Sequence, residues 1–154
     1  MFPFDDLFLE QVDLISVNMY PGWYANDIEE VRPLDEIASL LDSLVEDFSK
    51  RGLGDKPLII SEMGAGAIYG WRGPLRAHWS EEYQADHLET VSREIVARSA
   101  YAGVSLWQFC DCRTYASGKA LTRPRAFNNK GIVDEYRRPK LAFDRVKAVF
   151  RGEG

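Results

Sequence analysis

Apolar and polar positions alternate in blocks along the chain, and the blocks predict three strands interleaved with helices. Val12–Asn18, Pro57–Glu62 and Gly103–Phe109 are short β-rich runs. The first two are largely apolar without clean alternation, which predicts parallel strands covered on both faces. Between them, Pro33–Lys50 repeats Leu34, Ile37, Leu40, Leu41, Leu44, Val45 and Phe48 at helical spacing, with Gly52 as a stop signal. Ser80–Tyr101 predicts a second helix. It opens on a serine suited to capping and on Glu81 and Glu82 in the first turn, and its apolar positions include Tyr83, Val91 and Ile95. Pro139 opens a last helix with Leu141, Ala142, Val146 and Val149 inward.

The order strand, helix, strand, helix, strand, long loop, helix favours a parallel sheet with right-handed crossovers. The fold class expected is α/β. The loops Tyr20–Arg32, Met63–Trp79 and Cys110–Arg138 follow the strands and hold most of the Gly, Trp, Tyr and Arg. In a β/α barrel such loops build the active site. The chain has 154 residues, whereas a closed eight-stranded barrel takes about 250.

Chemistry is concentrated at the strand ends. In KPLIISEMGA, Lys56–Ala65, an apolar run ends in Glu62 and a glycine turn follows. Counting alternately, Leu58 and Ile60 share the side of Glu62, and Ser61 points toward the helices. A carboxylate at that rim can be a nucleophile, a base or a structural ion-pair partner. Asn18, Tyr20, Trp23 and Tyr24 suit a pyranose, with rings on its apolar face and amides reading hydroxyls. They equally suit a tight Pro21-Gly22 turn with packed aromatics. Asn128, Asn129, Lys130 and Arg125 form a polar loop that can clamp a carboxylate or be an ordinary exposed turn. Trp107 ends the third strand, as a sugar floor or as core, and Asp111 and Arg113 follow it as loop-ordering residues. Glu46, Asp47, Glu81 and Glu82 read as helix-surface acids.

Other classes are disfavoured. The net charge of -5 comes without a basic tract, so nucleic acid is not an expected partner. No run of about 18 apolar residues predicts a membrane span, and the start lacks the basic region of a signal peptide. Cys110 and Cys112 cannot complete a four-ligand zinc site, and His78 and His87 are distant in sequence, so no metal is expected. Reduced thiols and a cytoplasmic location are expected. Dinucleotide and G-x-S-x-G signatures are missing.

Four blocks in order carry a resemblance: VNMYPGWY at 17–24, KPLIISEMGA at 56–65, WQFCD at 107–111, and NNKGI followed by RRPK within 128–140. Glu82-Tyr83-Gln84 adds a similar helix start. The chain resembles the C-terminal part of the β-glucuronidase catalytic domain, in the retaining β-galactosidase/β-glucuronidase family, glycoside hydrolase family 2. The resemblance implies one partial TIM-barrel domain over 1–154, about strands six to eight with their helices. It implies Glu62 as catalytic nucleophile and Asn18, Tyr20, Tyr24 and Trp107 as sugar-site residues. It implies Asn128 and Lys130 as the pair that recognises a uronic acid carboxylate, with no cofactor. Met63 stands where relatives commonly carry an aromatic, and Cys110 and Cys112 replace small or aromatic residues. The family acid/base glutamate follows an asparagine upstream, and this chain has no Asn-Glu pair.

These observations lead to several expectations. The substrate is a β-glucuronide or related glycoside, hydrolysed when the barrel is complete. The chain alone is inactive, and it pairs with the upstream half of the barrel or self-associates through open sheet edges. The alternatives are a non-catalytic sugar-binding fragment, a β-galactosidase-like portion, or a small α/β domain unrelated to sugars.

Overall fold

The computed structural model describes residues 7–24, 34–114 and 123–153. The expected loop segments over 25–32 and 115–122, and Pro33 of the expected first helix, lie outside them. The elements run β1 (Ile15–Asn18), α1 (Ile37–Lys50), β2 (Leu58–Met63), α2 (Glu81–Val96), β3 (Tyr101–Leu106), β4 (Cys112–Arg113), β5 (Phe127–Asn128) and α3 (Leu141–Phe150). β1, β2 and β3 form a parallel sheet in that order. This is an α/β fold in which the described strands form an unclosed barrel segment. The long final loop holds an antiparallel ribbon, with Cys112 opposite Asn128.

Apolar periodicity explains the layers. Ile37, Leu41, Leu44 and Phe48 fall on one face of α1, and Ala85, Leu88, Val91 and Ile95 on one face of α2. Both stripes join Ile15, Val17, Leu58 and Ile60 of the sheet and Ala142 and Val146 of α3 in one core. Gly52 ends α1 at φ 77°, a left-handed position that suits glycine. Ser80 caps α2, its hydroxyl accepting from Tyr83 N at 3.2 Å.

Several expectations are corrected. The sheet is not covered on both faces among the described residues. In β1 Ile15 and Val17 are buried while Ser16 and Asn18 are exposed, so the helices cover one side only. β3 starts at Tyr101 rather than Gly103, and α2 stops at Val96 rather than Tyr101. The sheet takes over early because the Ala100 carbonyl already accepts from Leu58 N at 3.1 Å. A helix could not continue through a residue paired in that ladder.

Candidate active site

The open end of β1 and β2 is irregular, and the irregularity aims the carboxylate. Val17 pairs with Ile60 but Asn18 pairs with Glu62, so one residue of β2 is left over. Such a bulge turns side chains out of strict alternation. The alternation count from sequence is therefore overturned. Leu58 and Ile60 belong to the helix-packed core, and Ser61 donates its hydroxyl proton to Asn18 Oδ1 at 2.7 Å. Glu62 comes to the same group of side chains: its Oε2 accepts from Asn18 Nδ2 at 3.0 Å and its Oε1 accepts from the Tyr20 hydroxyl. Ser61 thus sets the amide of Asn18 with its NH₂ toward the carboxylate. Burial, the bond to Glu62 and that carboxylate's charge hold the Tyr20 phenol above its usual range, so it stays a donor.

Lys130 approaches from the loop after β5. Its Nζ donates to the Tyr24 hydroxyl at 2.7 Å and stands 5.3 Å from the Tyr20 ring centroid, 5.3 Å from Trp23 and 4.6 Å from Tyr24. The rings of Tyr20 and Tyr24 meet edge to face at 5.2 Å, which joins the carboxylate group to the ammonium group. Burial lowers the pKa of Lys130, against the Tyr24 bond and the charge of Glu62. The exposed-turn reading of this loop fails, because Asn128, Asn129 and Lys130 are 6%, 1% and 3% exposed. Asn128 Oδ1 accepts from Lys130 N at 3.3 Å, and Asn129 Nδ2 donates to Pro124 O and Phe127 O at 2.9 and 3.0 Å.

Trp107 leaves β3 beside the strand of Glu62. Its N donates to Met63 O at 2.6 Å, the Trp107–Gln108 peptide is cis, and the residue is 40% exposed. Trp23 is core instead: it stacks on His78 at 4.5 Å and meets Trp79 edge-on at 4.9 Å. Gly66 lets these rings close in, since a Cβ there would lie 2.7 Å from Trp79 and 2.9 Å from Trp23. A half-buried carboxylate with a donor on each oxygen, next to a buried ammonium among aromatic rings, can hold a polar ring compound bearing an anionic group.

A family model described as glycosyl hydrolases family 2, TIM barrel domain, matches residues 4–152. The chain belongs to that family. A β-galacturonidase of Eisenbergiella tayi, solved with galacturonate, is 43% identical with a TM-score of 0.83, over 97% of this chain and 25% of that one. The β-glucuronidase of Bifidobacterium dentium, solved with coumarin-3-O-glucuronide, is 30% identical with a TM-score of 0.75, over 91% and 21%. The β-glucuronidase of Rattus norvegicus is 34% identical over 139 residues, 89% of this chain and 20% of that protein. The chain thus spans between a fifth and a quarter of the length of these relatives.

Within this family 2 barrel segment, α2 fixes the loops in ways its sequence concealed. Gln84 Nε2 donates to Ala65 O at 2.9 Å and Gly131 O at 3.0 Å, joining the loop after Glu62 to that of Lys130. Glu81 is not a surface acid. It is 1% exposed, and its carboxylate accepts from Gly70 N at 2.6 Å, Arg72 Nη2 at 2.9 Å and Leu141 N at 2.7 Å, the last serving the uncapped start of α3. Glu82 is likewise engaged, accepting from Gly73 N at 3.1 Å. Arg125 turns away, pairing with Glu135 and lying 5.0 Å over Phe127. Arg123, which the motifs passed over, is instead the cation whose charge reaches both Tyr20 and Lys130. Only the folded loop distinguishes it from Arg125 two residues on.

Asp111 and Lys140 form an ion pair at 2.8 Å with both side chains fully buried. Both cysteines are free thiols; Cys110 Sγ donates to Asp134 O at 3.1 Å and Cys112 Sγ accepts from Gln108 Nε2 at 3.3 Å. Among the described residues no group of three or more His, Cys, Asp or Glu is placed to hold a metal ion. No described helix is long and apolar enough to cross a membrane.

Proposed function

We infer that this chain supplies the nucleophile and the uronate-binding side of a retaining β-uronide hydrolase. It does so as a partial TIM-barrel domain over 1–154, about strands six to eight. Glu62 attacks the anomeric carbon and Lys130, with Asn128, holds the sugar's carboxylate. Asn18, Tyr20, Tyr24 and Trp107 line the ring. The observation that carries this reading is the pairing of a carboxylate held on both oxygens with a buried ammonium, joined through Tyr20 and Tyr24. The two fixed ends orient the glycosidic bond for attack. A second carboxyl group, roughly 5–5.5 Å from the first, protonates the leaving oxygen, and water then releases the glycosyl-enzyme with retention. That proton donor comes from the strands that complete the barrel, whether in an upstream segment or in a second chain. A partly open apolar surface at the edge of β3, with Leu106, Phe109, Ile132, Phe143 and Phe150, supports such a partner. No metal or organic cofactor takes part in this scheme.

The substrate class is a β-D-glucuronide. A β-D-galacturonide is the second reading, favoured by the 43% identity to an enzyme solved with galacturonate. The two sugars share the carboxylate that Lys130 recognises and differ at a ring hydroxyl.

The test is hydrolysis of aryl β-D-glucuronide and β-D-galacturonide by the assembled enzyme, with Glu62→Gln prepared alongside. Turnover is expected to vanish in the variant. A 2-fluoro-uronosyl fluoride is expected to add its glycosyl mass to the peptide that contains Glu62. Unchanged turnover by Glu62→Gln sinks the assignment.

A further inference from the structure

Lys130 is placed by two peptide groups, one on each side of its Cα, and one buried charge pair holds both. The carbonyl of Asn129 belongs to the peptide before Lys130 and accepts from Lys140 Nζ at 3.0 Å. The amide of Gly131 belongs to the peptide after it and donates to Asp111 Oδ1 at 2.8 Å. Lys140 Nζ also donates to that same Oδ1 at 2.8 Å, and its remaining bond goes to Ala67 O at 2.7 Å. All three ammonium protons are therefore used. Ala67 lies on the segment that leaves Glu62, and its N donates to Asn129 O at 2.9 Å. One ammonium thus ties the backbone of Lys130 to the backbone that follows Glu62.

Close approach is built into the loop. A Cβ on Gly131 would lie 2.3 Å from Asp111 N, 2.3 Å from Val133 O and 2.6 Å from Asp111 Oδ1, so only glycine lets its amide reach the carboxylate. Lys140 and Asp111 are 1% and 3% exposed. Two charges taken out of water at such depth contribute little net stability compared with apolar side chains of the same volume, whereas they fix geometry sharply. An apolar pair would fill the space but take away the bonds to Asn129 O and Gly131 N, leaving the two peptides to their remaining bonds, from Ala67 N to Asn129 O, from Lys130 N to Asn128 Oδ1 and from Gln108 N to Lys130 O.

We propose that Lys140, paired with Asp111, is the positioning residue for Lys130, setting where its ammonium stands relative to Glu62. The importance of that placement for a uronate rests on the function proposed above; the placement itself does not. Lys140 touches neither Glu62 nor the sugar-site aromatics, and acts through the backbone of residues 129 and 131.

The experiment reads Lys130 directly in the full chain labelled with ¹³C,¹⁵N-lysine and with ¹³C-methyl leucine and valine. The Lys130 signal is assigned with Lys130→Arg. Three rings surround its Nζ, so its ε-methylene protons should resonate well upfield of a solvated lysine. The comparison is with Lys140→Met/Asp111→Asn, which removes both charges, and with Lys140→Met alone. The expected result is loss of more than half of the upfield shift in both variants, while the methyl signals of Leu88 and Val91 stay in place. A Lys130 signal unchanged in both variants overturns the proposal. So does displacement of Leu88 and Val91 together with Lys130 in both, since the pair would then support the whole core. Titration of the same samples with D-glucuronate and D-galacturonate is a separate reading. Binding absent from the unsubstituted chain would count against the proposed function and leave the ring-shift result standing.

Discussion

His87 gives the sharpest test of how the aromatic turn is held. It has no exposed surface, and its Nε2 lies 2.6 Å from the carbonyl of Pro21, at the head of the turn that carries Trp23 and Tyr24. A carbonyl can only accept, so Nε2 carries the proton and Nδ1 is bare; that Nδ1 is buried with no partner among the described residues. Burial pushes the imidazole down to about 4, and the charges of His78 and Lys130 add to this against the Pro21 bond. In the unfolded chain the same group titrates near its ordinary value of about 6.5. The unfolded state therefore binds more protons between those values. The stability from keeping His87 neutral is full above about pH 6.5 and is lost as pH falls toward about 4. From these two values the loss is about 2 kcal/mol at about pH 5 and about 3 kcal/mol at about pH 4. Asp111 works in the opposite direction. Burial raises its carboxyl to about 6, so its contribution is present below its ordinary range and lost as pH rises through about 6. The assay is urea unfolding of the chain and of His87→Gln across that range, since glutamine keeps an amide donor for Pro21 and does not titrate. Asp111 is common to both proteins and cancels in the difference. The stability difference should move by about 3 kcal/mol against the unsubstituted chain between about pH 7 and about pH 4. A difference flat to within about 0.5 kcal/mol would refute the buried neutral imidazole, as would an NMR titration of His87 near its ordinary pKa.

Three further outcomes follow from single contacts. Gly64→Ala would place a Cβ 2.0 Å from the backbone oxygen of Trp107; it should cost about 1–3 kcal/mol in denaturant unfolding, and an unchanged midpoint would mean the β2 and β3 ends are not so closely apposed. Ser80→Ala removes the α2 cap to Tyr83 N and should cost about 1 kcal/mol, read from the same unfolding curves; no measurable shift would deny the cap a role. Lys130→Met in the assembled enzyme should reduce the preference for an aryl uronide over its uncharged methyl ester by about 10- to 100-fold, the range for a hydrogen bond to a charged group. An unaltered kcat/KM ratio would remove Lys130 from carboxylate recognition.

Local chemistry by itself determined the element types, the helix faces and the rim chemistry of this chain. Helical spacing from Ile37 to Phe48, the serine cap of α2 and the glycine after α1 are short-range signals that the fold kept. The motif residues Asn18, Tyr20 and Glu62 also meet, because β1 and β2 are adjacent and parallel. What strict alternation could not supply was the direction of Glu62 and Ser61. A bulge is a property of two paired strands, and neither strand announces it alone. Burial was equally hidden. Glu81, Asn129, Lys130 and Lys140 are polar residues that a sequence places at the surface. Glu81 and Lys140 are enclosed because backbone groups from distant segments meet their hydrogen-bonding needs, Lys130 because the distant Tyr24 hydroxyl accepts from its ammonium, and Asn129 because the Pro124 and Phe127 carbonyls of its own folded loop take its amide. The same holds for Arg123 and Arg125, two residues apart and chemically alike: the path of one loop sends the first charge toward Lys130 and the second toward Glu135.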